Sequence, residues 1–274
     1  MRIGHRWTIN AVAKYHRTIL TSDEIAHFHE TGQVTPAARL DAGLIAGIET
    51  KMEALIAAYP ELDPDYAPNL TEIDQSWLAY ALMPEILDAI EQLTGANIIV
   101  WGSALFCKKG RGGKPTFWYQ DGTYWPMRPL EACSVWIAIN PSTRANGYLR
   151  IIPGSHKAGR VLAYESEDRP EFILNQVVAA RDMPAADPVD VILEPGMMSF
   201  HDVFTVHGAE PNDSGARRGG LVFRFMSSSS YYDRDLAAGQ SRTAFNATRQ
   251  LHLVRAIDVC ARNDIYREEL APAD

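Results

Sequence analysis

Hydrophobic residues recur at helical spacing in the first third of the chain. Between residues 37 and 59 they lie on one predicted helix face, at Leu40, Leu44, Ile45, Ile48, Met52 and Leu55. Residues 77–93 form another helical segment, interrupted near Pro84. We therefore predict a helical N-terminal part over about residues 17–95.

The stretch "TSDEIAHFHETG" carries the signals of a helix start and a helix end. Thr21 stands three residues before Glu24, which is the pattern of a capping box. Gly32 follows the last residue of the predicted helix, where glycine is favoured because it adopts a left-handed conformation easily.

From about residue 97 the pattern changes to short runs rich in β-branched and aromatic residues. Gly, Pro, Asn or Ser separates these runs, which include "NIIVWGSALFCKK", "ACSVWIAIN", "DVILEPG", "MMSFHDVFTVHG" and "GLVFRFMSSSS". Many short strands at such spacing are typical of a double-sheet jelly roll or barrel. We predict a β-core over about residues 97–230.

The C-terminal segment returns to a helical pattern. Leu253, Val254, Ile257 and Cys260 lie on one stripe of a helix, which predicts a C-terminal helix over about residues 242–268. Together these patterns indicate a single domain, 1–274, of the α+β class with a mainly β core.

Composition narrows the function classes. The chain has 274 residues, 46% of them hydrophobic, and a formal net charge of −8 without a basic run. Such a chain suits neither nucleic-acid binding nor a membrane surface, and no segment reaches the length of a membrane span. Three scattered cysteines and the absence of a signal-peptide pattern favour a cytoplasmic location. The oligomeric state is not readable from these patterns.

The polar residues of the β region include a metal-ligating set. Candidates are Asp121, His156, His201, Asp202 and His207. Two imidazoles and one carboxylate on one face suit non-haem Fe(II), because they leave three coordination positions open. The first two ligands of such a site usually form His-x-Asp, since side chains at i and i+2 of a strand point the same way. Here the residue two before Asp121 is Tyr119.

The stretches "FWYQDGTYWP", "NGYLRIIPGSHKAG" and "HGAEPNDSGARR" resemble the phytanoyl-CoA dioxygenase-like family. The resemblance covers roughly residues 17–230 and implies a double-stranded β-helix (a jelly roll, cupin-like) with Fe(II) and 2-oxoglutarate as cofactors. It implies an oxygenase that hydroxylates a small molecule or oxidises it in a related way.

The resemblance also implies roles for individual residues. Asp121 and His207 match metal ligands, and Arg218 matches the arginine that pairs with 2-oxoglutarate, with Arg217 as its competitor. Lys108 and Ser134 match residues that help bind the cofactor. Four aromatic residues are expected to form the wall of the substrate pocket: Trp118, Tyr124, Trp125 and Trp136.

Two positions depart from the family pattern: Tyr119 replaces the first histidine ligand, and Ala209 replaces a small hydroxyl residue. Three alternatives follow for Tyr119. It ligates iron as a phenolate, it swings away from the metal, or the barrel no longer performs metal chemistry and binds a ligand or a partner. We expect Tyr119 to be a ligand or near-ligand and His156 to be structural. His201 is a less favoured replacement, because it and His207, six apart on one strand, need not point at the same atom once the strand twists or bulges.

Overall fold

Two antiparallel sheets face each other and form the central part of the molecule. The structure is a computed structural model that describes residues 17–239 and 247–266. The larger sheet has seven strands in the order β1-β11-β6-β13-β3-β15, with β2 paired to β3, and the smaller has the order β10-β7-β12-β4. The predicted α+β jelly roll is confirmed by this arrangement.

The strands are short except for two long ones in the larger sheet. Their bounds are β1 (Gln33–Val34), β2 (Ala67–Pro68), β3 (Ile98–Lys108), β4 (Thr116–Tyr119), β5 (Met127–Arg128), β6 (Ala132–Ala138), β7 (Leu149–Ile151), β8 (Tyr164–Ser166), β9 (Gln176–Val178), β10 (Val189–Val191), β11 (Met198–Asp202), β12 (His207–Ala209), β13 (Arg218–Ser227), β14 (Tyr231–Tyr232) and β15 (His252–Arg255). Strands β5 and β14 form one separate pair, and β8 and β9 form another.

Five of the described α-helices lie before β3 in the chain. They are α1 (Ser22–Thr31), α2 (Ala42–Ala58), α3 (Leu70–Ile73), α4 (Leu78–Ala81) and α5 (Pro84–Thr94), with a short α6 (Arg234–Gly239) after β14. The capping box of Thr21 and Glu24 is present, and Gly32 ends α1 with a φ of 83°. Pro84 begins α5 at a position where its missing N–H is not needed.

The outer face of the larger sheet is buried under the helices. Ile48 and Met52 of α2, Ile90 of α5, Ile137 of β6 and Phe223 of β13 belong to one continuous core. Because side chains alternate along a strand, the same strands direct every second residue inward, between the two sheets. On β13 this inner face carries Arg218, Val222 and Arg224, which line a pocket there.

The predicted helix over 242–268 is wrong for the part that is described. Residues 252–255 form β15, which pairs with β3 at the edge of the larger sheet, and no helix follows it as far as residue 266. Residues 242–246 and 267–268 lie outside the described residues. A stripe of four apolar residues is too short to distinguish a helix from an edge strand, and pairing with β3 supplied the backbone partners.

Within the described ranges, none of the helices combines the length and the apolar character that crossing a membrane requires.

Candidate metal centre between the two sheets

Three buried side chains meet between the sheets: Asp121, His201 and His207. One potential ligand atom from each lies within 4.8 Å of the other two. His201 Nε2 is 3.4 Å from Asp121 Oδ2, and His207 Nε2 is 3.9 Å from Asp121 Oδ1. The set therefore offers two imidazole nitrogens and one carboxylate to a common point.

Asp121 is positioned by the loop that leaves β4. Its neighbour Gln120 is buried and donates from Nε2 to the carbonyl of Phe204 at 2.6 Å, while its Oε1 accepts from the Leu162 N–H at 2.7 Å. The Gly122 N–H donates to the Val203 carbonyl at 3.1 Å. These contacts fix the Asp121 loop against the turn between β11 and β12, which separates the two histidines.

His201 and His207 belong to different sheets although they are six residues apart. His201 lies on β11, opposite Ser134 of β6 in the larger sheet. His207 begins β12 in the smaller sheet, opposite Tyr119 of β4. The chain crosses from one sheet to the other between them, and their ring centroids are 4.7 Å apart. If both histidines lay on one strand, they would not need to point at the same atom; the crossing between the sheets removes this objection to His201.

Hydrogen bonds orient two of the three side chains toward a cation. His207 Nδ1 lies 2.8 Å from the Thr205 carbonyl, to which it donates, so the lone pair is on Nε2. Ser134 Oγ donates to Asp121 Oδ2 at 2.9 Å. His201 Nδ1 is buried without a hydrogen-bond partner among the described residues.

The electrostatics favour the ligand forms of Asp121 and His207. Burial lowers the pKa of His207 to about 4, with a further contribution from nearby His201, so this imidazole is neutral at pH 7. Burial by itself would raise the pKa of Asp121. The hydrogen bond from His201, the charge that His207 carries once it is protonated in acid, and the charge of Arg224 outweigh it, so that the pKa lies below its usual value. A neutral imidazole and an ionised carboxylate are the species that bind metals.

Tyr119 packs against the cluster from the smaller sheet. Its ring centroid lies 4.2 Å from that of His207, in a tilted arrangement. Burial and the charge of Asp121 raise its pKa well above the ordinary value, so its phenol is protonated. An imidazole does lie beside Asp121, and it belongs to His201 of the larger sheet. Phenolate ligation by Tyr119 stays a prediction.

Lys108 and Arg218 face each other at one end of the same pocket, paired across β3 and β13. The guanidinium carbon of Arg218 lies 5.1 Å from the ring centroid of Trp136, and its Nε has no hydrogen-bond partner among the described residues. Lys108 donates to the Glu210 carbonyl, and burial together with the charge of Arg218 lowers its pKa to about 6. The buried guanidinium of Arg218 therefore makes this end of the pocket suitable for binding an anion. Ala209, where a small hydroxyl residue was expected, also lines the pocket.

The four aromatic residues that were expected in the pocket wall lie in different parts of the structure. Trp136 lines the pocket. Trp118 points away from it and packs against a neighbouring apolar cluster, with the guanidinium carbon of Arg150 5.7 Å from its ring centroid. Tyr124 contacts Tyr119 edge-on and accepts a hydrogen bond from the Gln176 N–H. Trp125 packs on Trp101 and belongs to a separate core cluster.

Two further residues were named as alternatives. His156 lies outside the cluster, where its Nε2 is 3.1 Å from the His29 carbonyl next to the end of α1. Arg217 forms an ion pair with Glu53 on the surface, whereas Arg218 is buried. Five residues that line the pocket were not predicted from the sequence: Phe106, Thr116, Leu149, Val222 and Arg224. Arg224 lies six residues after Arg218, and the period of two along a strand was the signal that places both on one face.

The donor set fits an iron ion. Two imidazoles and one carboxylate are the protein ligands that suit non-haem Fe(II) with open positions for other ligands. The orientation of His207 by Thr205 and of Asp121 by Ser134 is the kind of outer contact that metal ligands require.

Comparisons with known proteins agree with the geometry. The phytanoyl-CoA dioxygenase (PhyH) family model matches residues 28–220. A probable phytanoyl-CoA dioxygenase of Caenorhabditis elegans is 31% identical over 141 residues, which cover 48% of this chain and 45% of that protein. The peroxisomal phytanoyl-CoA dioxygenase of Homo sapiens is 28% identical over 187 residues, which cover 61% of this chain and 53% of that protein. The chain thus spans about half the length of these relatives.

Solved structures share the fold. The non-heme monooxygenase ThoJ in its apo form has a TM-score of 0.70 at 22% identity, covering 88% of this chain and 86% of that one. The non-heme alpha ketoglutarate dependent carbocyclase SnoK from nogalamycin biosynthesis has a TM-score of 0.68 at 23% identity, covering 81% and 90%. EctD from S. alaskensis, solved with 2-oxoglutarate and 5-hydroxyectoine, has a TM-score of 0.64 at 18% identity, covering 82% of each chain.

The family match extends over well over half of the chain, including the β4 loop with Asp121, the β11–β12 segment with both histidines, and Arg218. The chain belongs to the phytanoyl-CoA dioxygenase family.

Proposed function

We propose that the protein is a non-haem Fe(II)- and 2-oxoglutarate-dependent oxygenase acting on a small molecule, and that its metal is held by Asp121, His201 and His207. The observation that carries the proposal is the meeting of these three buried side chains, with ligand atoms within 4.8 Å, between the two sheets. In this assignment His201 supplies the imidazole that the sequence lacks at Tyr119. The family membership and the oxygenases of the same fold support the choice of iron and 2-oxoglutarate.

Residues around the three ligands would bind 2-oxoglutarate and orient the ligands. Arg218 would hold a carboxylate of 2-oxoglutarate in a bidentate fashion, and Lys108, whose amine is largely neutral at pH 7, would offer an N–H donor beside it. Trp136 forms a flat surface beside the guanidinium and excludes water from it. Ser134 would keep Asp121 in position, and the Thr205 carbonyl would keep His207 in the tautomer that exposes Nε2.

The chemistry that iron and 2-oxoglutarate supply in this class is the activation of O₂, with 2-oxoglutarate leaving as succinate and CO₂. Buried apolar walls such as Val222 and Leu149 would keep water out of the site while this happens.

Metal affinity distinguishes His201 from Tyr119 as the ligand. We would measure Mn(II) binding by calorimetry with the wild type, His201→Ala and Tyr119→Phe. Losing a ligand should weaken binding at least about tenfold, and losing a neighbour that only packs on His207 should change it by less than about threefold. The double variant Tyr119→His/His201→Ala should recover affinity, because it returns an imidazole to the position two residues before Asp121.

The reverse pattern, with metal lost in Tyr119→Phe and kept in His201→Ala, would make the phenol the ligand and refute our assignment. Succinate formation from 2-oxoglutarate with Fe(II) and O₂ tests the oxygenase activity itself. If neither metal binding nor succinate is found at any Fe(II) concentration, the protein is a ligand-binding or partner protein on the same fold. Anaerobic turnover without 2-oxoglutarate would instead indicate a redox-neutral enzyme.

A further inference from the structure

A second buried guanidinium lines the metal pocket, at Arg224. Only 6% of this residue is exposed, and its Nε is buried without a hydrogen-bond partner. Among residues 17–239 and 247–266, the side chain of Arg224 has no hydrogen-bond partner and no ion pair within 4.0 Å. A buried arginine normally has a carboxylate or several acceptors around it, because an unpaired buried charge is costly.

The contacts that Arg224 does make hold its side chain without neutralising it. Its guanidinium carbon lies 6.0 Å from the ring centroid of Trp101 and 5.8 Å from that of Trp125. Gly102 faces it across the β3–β13 ladder, and a Cβ there would lie 3.4 Å from Arg224 Cδ and 3.5 Å from Arg249 Nη1. Both arginine side chains therefore pass over the backbone of Gly102.

A second cation strengthens the positive potential around Arg224. The guanidinium carbon of Arg249 lies 5.6 Å from the same Trp101 ring, and Arg249 is 3% exposed. Burial lowers the pKa of Arg249, and the charge of Arg224 lowers it further, whereas Glu72 opposes this effect. Both guanidinium carbons lie within 6.0 Å of the Trp101 ring centroid, which places a second positive charge near Arg224.

Asp121, a carboxylate on which Arg224 acts electrostatically, is also a candidate metal ligand. Arg224 contributes to the low pKa of Asp121. Once Asp121 ligates a cation, its negative charge is shared with that cation and no longer balances Arg224. The complete site thus leaves Arg224 in need of another anion.

Arg218 and Arg224 lie toward different ends of the pocket. They are six residues apart on β13, so their Cα atoms are separated by about 20 Å, and Arg218 is paired with Lys108 whereas Arg224 is paired with Gly102. Ser134, which pairs with Arg224 in the β6–β13 ladder, donates to Asp121, so the Arg224 end lies next to the metal ligands.

We propose that Arg224 binds an anionic group, such as a carboxylate, of the primary substrate, and that the substrate is therefore an organic anion oriented beside the metal by this residue. The inference rests on the proposed function. It defines a substrate class that neither the family nor the fold specifies.

Calorimetry with a charged probe and its neutral counterpart tests the assignment. Benzoate and benzamide would be titrated into the protein with saturating Mn(II) and 2-oxoglutarate, so that the Arg218 end is occupied. The wild type should bind benzoate about 10- to 100-fold more tightly than benzamide, as expected for a charge-assisted pair. Arg224→Gln should lose this preference, and Arg224→Lys should keep part of it.

The controls use the neighbouring arginines. Arg217→Gln, on the surface, should leave both ligands unaffected, whereas Arg218→Gln should weaken 2-oxoglutarate about tenfold or more and spare benzoate. Equal binding of benzoate and benzamide to the wild type would overturn the proposal, and so would unchanged benzoate binding in Arg224→Gln. Loss of 2-oxoglutarate in Arg224→Gln as severe as in Arg218→Gln would also overturn it, since Arg224 would then belong to the co-substrate site.

The same titration without metal separates this proposal from the proposed function. If Mn(II) and 2-oxoglutarate fail to bind but benzoate still binds through Arg224, the oxygenase assignment fails and the anion site stands. If Mn(II) and 2-oxoglutarate bind and benzoate does not, the anion site fails alone.

Discussion

Ser134 and Asp121 form a single hydrogen bond that sets the direction of the candidate metal carboxylate. Without the hydroxyl, Asp121 Oδ2 would keep only its contact with His201 and would rotate more freely. Ser134→Ala should therefore reduce Mn(II) affinity by roughly 10-fold, the usual cost of losing an outer contact of a metal ligand.

Ser103→Ala is the matched control, because Ser103 is equally buried but bonds Thr71 on the outer side of the larger sheet. It should leave Mn(II) affinity unchanged. A Ser134→Ala protein that binds Mn(II) as tightly as the wild type would mean that the hydroxyl does not orient the carboxylate.

Lys108 is a fully buried amine with a pKa lowered to about 6, mainly by burial. In the unfolded chain its pKa is about 10.4, so between these values the unfolded chain holds a proton that the folded one lacks. The stability of the wild type should therefore rise with pH over this window. Lys108→Met should stabilise the metal-free protein by ~1–3 kcal/mol near pH 6, and by progressively less toward pH 10.

Urea unfolding at several pH values measures this difference, and the same variant should bind 2-oxoglutarate more weakly. A constant gain at all pH values would show that Lys108 is not the group that titrates.

Individual residues also show which parts of the site could be predicted from the sequence and which could not. Asp121 and His207 were named from their resemblance to family motifs, and the structure brings them together. His201 was not favoured as a ligand, because its spacing from His207 along the chain does not reveal that the chain crosses between the sheets. Arg224 was not predicted, because the sequence alone does not distinguish a buried arginine inside a strand from an exposed one. Its neighbours Trp101, Trp125 and Gly102 become known only from the structure.

At the scale of the element, strand β13 depends on a close approach at Gly220. A Cβ there would lie 2.1 Å from Trp136 Cζ2, so the indole rests directly on the glycine backbone. Gly220→Ala should displace Trp136 from Arg218, reduce stability by about 1–3 kcal/mol as overpacking does, and weaken 2-oxoglutarate binding.

Gly47→Ala in α2 provides the comparison, because no atom lies within 4 Å of the added Cβ. That change should stabilise the protein by up to about 1 kcal/mol through helix propensity and leave 2-oxoglutarate binding unchanged. Thermal unfolding with and without 2-oxoglutarate measures both effects, and a Gly220→Ala protein with intact affinity would disprove the role of Trp136.

Elements with strong local signals were predicted best. The capping box and Gly32 predicted the two ends of α1. Short β-rich runs separated by frequent turn residues predicted the jelly roll. The C-terminal prediction failed because β15 owes its strand conformation to pairing with β3, a partner about 150 residues earlier in the chain. Local periodicity carries no information on such a partner.

At the scale of the whole molecule, the candidate metal would connect the two sheets. His201 comes from the larger sheet and His207 from the smaller one, and Asp121 follows β4. An ion that binds only the folded state adds about 2.7 kcal/mol of stability at a concentration of 100 times its Kd. Mn(II) should therefore raise the melting temperature of the wild type, and a chelator should reverse the shift.

His201→Ala should abolish most of that shift, whereas His156→Ala should not, because His156 lies outside the cluster at the end of α1. An identical shift in both variants would indicate that Mn(II) stabilises the protein from some other place.

The crossing of the chain between β11 and β12 has a consequence for how related genes are classified. A pattern search that demands histidine two residues before the aspartate inspects only the β4 side of the barrel. It would discard this chain as degenerate, although an imidazole from the opposite sheet lies 3.4 Å from the same carboxylate. Relatives that lack the first histidine should be sorted by the residue at the end of β11 before they are counted as inactive.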